Sequence, residues 1–63
     1  MKLIKSTSIS TEDIEVALSI HESITISLQR WMMNHPGYKS DIFITVSENT
    51  SIVEVRVYAD KED

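Results

Sequence analysis

The chain contains no cysteine, and it has only one glycine and one proline in 63 residues. Without cysteine it forms no disulfide and offers no thiolate ligand to a metal ion. The single glycine, Gly37, excludes the glycine-rich loops with which dinucleotide-binding and P-loop proteins hold phosphate groups. A domain this short buries only about 60% of the surface that its unfolded chain exposes. We therefore expect self-association to supplement the small core.

Basic residues are also few, and no two of them are adjacent. Six Lys and Arg residues stand against ten Asp and Glu residues, for a formal net charge of −4. Because affinity for nucleic acid comes largely from clustered Lys and Arg, direct binding to nucleic acid is not expected. No apolar run approaches the roughly 20 residues that span a bilayer, and no signal-peptide pattern opens the chain. These absences predict a cytoplasmic protein without a membrane partner.

A long central segment has the hydrophobic spacing of a helix. Apolar residues recur at i, i+3, i+4 and i+7 from Ile14 to Met32, which predicts one amphipathic helix of about 22–24 residues. Ser10-Thr11-Glu12-Asp13 predicts its start, with a hydroxyl N-cap and acidic residues in the first turn, and Pro36-Gly37 predicts its end. Ser23–Leu28 also alternates strictly and is rich in β-branched residues, so a strand over that segment is the alternative.

Three further segments have the composition or alternation of strands. Lys2–Ile9 alternates weakly, whereas Asp41–Ser47 and Ser51–Ala59 alternate clearly with period two. We expect the last two to form a hairpin over a four-residue loop, with Val46 opposite Val53.

The predicted order of elements is strand, helix, strand, strand. This order predicts an α+β fold of the β-α-β-β type, a three-stranded sheet with one long amphipathic helix packed on one face, and a right-handed crossover from the first strand. Residues 1–63 are predicted to form a single small domain in which residues 60–63 are a solvated acidic tail.

One helix covers only one face of the predicted sheet. The opposite face, called the far face below, carries Phe43, Ile52 and Tyr58 together with Arg56. Such a mixture of apolar and charged groups is typical of protein interfaces. We therefore predict a homo-oligomer with these four residues at a candidate interface, formed by sheet stacking, edge-strand pairing or helix packing. The alternative is that Phe43 and Tyr58 merely cover the methylene groups of Arg56 on a solvated surface.

Neither histidine has the sequence setting of a catalytic or metal site. His21 lies on the apolar side of the helix with no acidic residue three or four positions away, so we expect a hydrogen-bonded core or interface residue. His35 lies about 21 Å further along at 1.5 Å per residue, in the last turn, where we expect it to cap helix carbonyls. No serine lies in a glycine-flanked nucleophile elbow. The sequence predicts a protein that is not an enzyme and that uses no cofactor or metal ion.

The outer side of the helix supplies a candidate site for a protein partner. Ile26 and Met33 point away from the apolar side and form a small exposed apolar spot, which suits partners that repack on contact. Glu15 and Glu22 lie on the same exposed arc. The sequence thus predicts a small homo-oligomeric protein-binding accessory or inhibitor protein of a bacterial or phage type. The alternative is an acidic mimic of DNA that inhibits a nucleic-acid-binding enzyme.

One resemblance bears on this alternative. Glu22-Ser23-Ile24, with Pro36 and then Ser40-Asp41-Ile42, is similar to a segment of the phage uracil-DNA glycosylase inhibitor family. The resemblance implies an exposed strand over residues 22–28, with Glu22 entering the enzyme's DNA groove. The following segment, Gln29–Met33, lacks the acidic helix of that family, so we do not assign the chain to it. The helical spacing predicts a helix over the same residues.

Overall fold

The elements follow the predicted order along the chain. The structure, a computed structural model, describes residues 2–60. Its elements are β1 (Lys2–Thr11), α1 (Ile14–Asn34), β2 (Tyr38–Ser47) and β3 (Thr50–Ala59). The sheet has the strand order β1-β3-β2, and β3 pairs antiparallel with both neighbours. The α+β fold of the β-α-β-β type, with one helix packed on the sheet, is confirmed. Residues 61–63 of the predicted acidic tail lie outside the described residues.

The helix begins later than the predicted hydroxyl cap. Asp13 is the N-cap, and its Oδ1 accepts a hydrogen bond from the Glu15 backbone N–H at 2.9 Å. Thr11 instead ends β1, where its Oγ1 accepts from the Asp13 N–H at 3.2 Å. A hydroxyl N-cap at Ser10 or Thr11 is therefore wrong, because the strand continues through both residues.

Among residues 2–60, no helix combines the length and hydrophobicity needed to cross a membrane.

Residues 22–28 lie within α1, so both the strand alternative and the strand implied by the inhibitor resemblance are wrong. The hydroxyl of Thr25 donates to the His21 carbonyl at 2.7 Å, which gives this β-branched residue a polar partner inside the helix. The helix continues because Ile24 and Leu28, one turn apart, are both half-buried.

The β2–β3 hairpin closes over two residues, Glu48 and Asn49, and the predicted four-residue loop is wrong. Ile44, not Val46, lies opposite Val53, so the register differs by two positions from the predicted one. Since side chains alternate with period two, a shift of two leaves every residue on its predicted face. Glu48, the first residue of the turn, has a φ of 52°, and Thr50 already belongs to β3.

The helix packs mainly over β2 and β3, and the fully buried core is very small. Ala17 of α1 and Val53 of β3 are completely buried, and Ser51 nearly so. The helix side of β1 remains open, and Ile4 there is 54% exposed. Ile4 is the extra residue of a β-bulge between Leu3 and Lys5, a device that increases local strand twist. A single chain therefore leaves apolar side chains on the helix side of β1 exposed to solvent.

The overall dimensions agree with an incomplete core. The molecule measures 41 × 20 × 10 Å and has a radius of gyration of 12.9 Å, against about 10.5 Å for a compact domain of this length. Its accessible surface is 4813 Å², against about 4,100 Å² for a compact monomer of 7.2 kDa. The chain thus exposes about 700 Å² more surface than a compact monomer does.

Replacing Asp13 by Ala removes the side-chain acceptor at the helix N-terminus. We expect the free energy of unfolding to fall by about 1 kcal/mol, measured by urea denaturation at one fixed protein concentration. The matched control is Gln29→Ala, because Gln29 is exposed and lies inside α1, away from the N-cap. Equal losses for both variants would contradict the capping role of Asp13.

Replacing Glu48 by Gly removes the steric penalty of a left-handed backbone. The penalty for an L-residue is about 1–2 kcal/mol and the entropic cost of Gly is about 0.5–1 kcal/mol, so we expect a net stabilisation of about 0.5–1 kcal/mol. The neighbouring Asn49→Gly is the control and should not stabilise the protein, since a positive φ is found at Glu48 and not at Asn49. Thermal or urea unfolding at constant concentration measures both. A destabilised Glu48→Gly variant would contradict the turn geometry.

Candidate functional site

The helix leaves an open apolar groove beside β1. This β1 groove lies between one flank of α1 and the uncovered face of β1. Its apolar lining comes from both elements: Ile4, Ile9, Val16, Ile20, Ile24, Trp31. The sequence predicted the apolar residues of α1 but not the groove, because the groove depends on β1 being the strand that the helix leaves uncovered.

An aromatic cluster closes one end of the β1 groove. The rings of Trp31 and His35 are stacked, with centroids 4.2 Å apart and planes 9° from parallel, and Tyr38 meets Trp31 edge-on at 4.9 Å. A pocket of about 250 Å³ lies beside this cluster and is also lined by Lys5 and Leu28. Sequence reasoning missed Tyr38 because it began β2 at Asp41, three residues too late.

His35 has the predicted capping position. Its Nδ1–H donates to the Trp31 carbonyl at 2.8 Å, and its backbone N–H donates to the Met32 carbonyl at 3.2 Å. The ring therefore satisfies one of the carbonyls that the end of a helix leaves unpaired. Together with the stacking on Trp31, these bonds give His35 a structural role.

His21 joins α1 to the β2 edge of the sheet. The ring is half-buried, and Nε2–H donates to the Ile42 carbonyl at 3.3 Å. Since a carbonyl only accepts, this contact fixes the proton on Nε2. The prediction of a hydrogen-bonded core or interface histidine is confirmed. The two histidines lie at opposite parts of α1, and the described chain holds no group of three or more His, Asp or Glu residues that could bind a metal ion.

The far face brings together the four residues predicted for an oligomer interface. The Arg56 guanidinium lies 5.2 Å from the centroid of the Phe43 ring, and its Nη2 lies 3.2 Å from a Glu54 carboxylate oxygen. Ile52 and Tyr58 follow on alternate positions of the same strand and are half-buried. The contact of the Arg56 guanidinium with Phe43 lies within one chain, as the alternative expects for Phe43. An oligomeric contact through this face stays a prediction.

The outer face of α1 gathers the four residues predicted for partner binding. At 100° per residue, Glu15, Glu22, Ile26 and Met33 fall within an arc of about 40°, and all four are exposed. Met33 is 83% exposed, the largest value for an apolar side chain in residues 2–60. We call this row the outer helix strip. Its two carboxylates lie toward the N-terminal end of α1 and its two apolar side chains toward the C-terminal end, so the strip is mixed in character and not purely acidic.

Comparison with known proteins gives no match. No protein-family model, no curated protein and no solved structure is significantly similar to this chain.

The His21 contact can be tested by replacing the donor. His21→Ala removes the donor to the Ile42 carbonyl, and we expect the free energy of unfolding to fall by about 0.5–1.5 kcal/mol. His21→Gln places an amide donor at a similar reach and should recover part of this loss. Urea denaturation measures both variants. Equal destabilisation by Ala and Gln would contradict the hydrogen bond and leave packing as the only role of the ring.

Proposed function

We propose that this chain is a small, non-enzymatic, homo-oligomeric protein that acts in the cytoplasm by binding another protein, as an accessory or inhibitor protein of a bacterial or phage type. The observation that carries the proposal is the apolar surface that a single chain leaves uncovered. Ile4, Val16 and Trp31 are each more than a third exposed in one chain, and covering such apolar side chains with a second chain stabilises the assembly. Self-association therefore completes the fold, and other exposed surfaces remain for a partner.

The contacts of the histidines support a role without catalysis. His21 donates to a main-chain carbonyl, and His35 both stacks on Trp31 and donates to its carbonyl. General acid or base catalysis needs a titratable group directed at a substrate. In this structure each ring uses one nitrogen for a contact within the fold, and within residues 2–60 neither belongs to a group of three or more His, Asp or Glu residues that could hold a metal ion.

The outer helix strip fits a partner that contacts apolar side chains better than it fits the basic DNA-binding groove of an enzyme. Glu15 and Glu22 are two turns apart, about 10.5 Å at 1.5 Å per residue, and Ile26 and Met33 lie along the same row. A DNA mimic needs a dense array of negative charge to compete with phosphates. The exposed apolar side chains suit a contact whose strength comes from their burial. The acidic mimic remains the second candidate function because the chain carries a net charge of −4.

A capture experiment separates these two candidates. The double variant Ile26→Ser/Met33→Ser should lose the partner retained by the immobilised wild-type protein, whereas Glu15→Gln/Glu22→Gln should keep it. Binding should also persist from 0.1 to 0.5 M salt, because salt screens charge pairs and not apolar contacts. Both double variants must sediment like the wild type. Loss of the partner with the Gln variant, and release by salt, would contradict the proposal and favour the mimic.

The oligomeric part of the proposal has its own test. Sedimentation equilibrium at micromolar concentration should give a mass of at least two chains of 7.2 kDa. A folded monomer at these concentrations would overturn it.

A further inference from the structure

We propose that two copies of this chain pair their β1 strands antiparallel about a two-fold axis at Thr7, so that two three-stranded sheets become one of six strands. The inference rests on the proposed homo-oligomer and names its interface. The partner is a second copy of this chain, and the surface is the free edge of β1 together with the β1 groove.

The edge of β1 is open to a new strand. β1 has ten residues and, among the strands of residues 2–60, pairs only with β3, so about half of its main-chain N–H and C=O groups face outward. The middle of the strand, Ser6-Thr7-Ser8, contains small hydroxyl side chains and no proline. β2 is the other edge strand, but its Ile42 carbonyl already accepts from His21. The β1 edge is therefore the freer of the two.

The charges at the ends of β1 favour antiparallel self-pairing. Lys2 and Lys5 lie at the start of the strand, and Glu12 and Asp13 follow directly after its last residue. With the axis at Thr7 and Ile4 left out of the register as the bulge residue, Lys2 of one copy lies opposite Thr11 of the other and beside Glu12, and the two-fold symmetry makes this contact twice. Parallel pairing would instead bring the lysines of both copies together. The lysines thus exclude parallel pairing of the two β1 strands and stabilise antiparallel pairing.

The surface that needs covering is of the size that a stable dimer buries. Each partner in a standard interface contributes about 800 Å², close to the excess of about 700 Å² per chain. Odd-numbered residues from Lys5 to Thr11 lie opposite the helix-facing residues of β3. When these odd positions pair with their equivalents, both helices lie on the same side of the joined sheet. The two β1 grooves then meet over the paired strands.

Cysteine cross-linking tests the pairing directly, since the natural chain has no cysteine. Opposed residues of an antiparallel pair have Cβ atoms about 4.5–5.5 Å apart. This separation is close to the Cβ–Cβ distance across a disulfide, about 3.5–4.5 Å. Single variants Ser6→Cys, Thr7→Cys and Ser8→Cys bracket the axis, and mild oxidation of the full chain should convert at least one of them to a covalent dimer. Thr45→Cys on β2 and Ile52→Cys on the far face are the matched controls.

The controls separate this inference from the proposed function. Cross-linking at Thr45 or Ile52 but at none of the β1 positions overturns the β1 interface and leaves the homo-oligomer intact. No cross-linking at any position, with a monomer by sedimentation, overturns both. A circular dichroism spectrum that matches the wild type shows that a variant is folded. The cross-linking of folded variants is then compared.

A charge reversal provides a second test that does not depend on cysteine. Lys2→Glu/Lys5→Glu should raise the dimer dissociation constant about tenfold at low salt by placing like charges together. Adding Glu12→Lys to the same chain should restore part of the affinity. An unchanged dissociation constant in the first variant, or no recovery in the second, contradicts the antiparallel orientation.

Discussion

The structure depends on a mismatch of widths between one helix and three strands. An α-helix with its side chains is about 10–12 Å wide. Each strand takes up about 4.8 Å of the width of a sheet, so a sheet of three strands is wider than one helix can cover. Here α1 packs over β2 and β3, and β1 is left open on its helix side. Within residues 2–60, Ala17 and Val53 are completely buried and Ser51 is nearly so. The shortage of core is thus a consequence of the geometry of the fold and not of a shortage of apolar residues.

The periodic features could be predicted from the sequence because they repeat over many residues. The helical spacing of α1 outweighed the strict alternation of Ser23–Leu28, since packing against the sheet rewards apolar residues one turn apart along the whole length. The faces of β2 and β3 were also predictable, because they depend on period two alone. The far-face residues Phe43 and Arg56 therefore share a surface although the predicted register was wrong.

The features that depend on one or two residues could not be predicted in the same way. The hairpin register depends on which residue adopts a positive φ, and the exposed Glu48 carries no sequence signal for that conformation. The N-cap was misplaced because Thr11 and Asp13 are both good caps, and only the length of β1 decides between them. The β1 groove needed the strand order, which a weakly alternating Lys2–Ile9 segment does not specify.

The central claim is that a single chain does not bury enough apolar surface and is completed by self-association. The most direct measurement is the midpoint of urea unfolding across a hundredfold range of protein concentration, because mass action stabilises an assembly as concentration rises. We predict a midpoint that increases steadily with concentration, together with a single cooperative transition. A midpoint that does not change with concentration would show that the chain is stable alone, and would contradict the account.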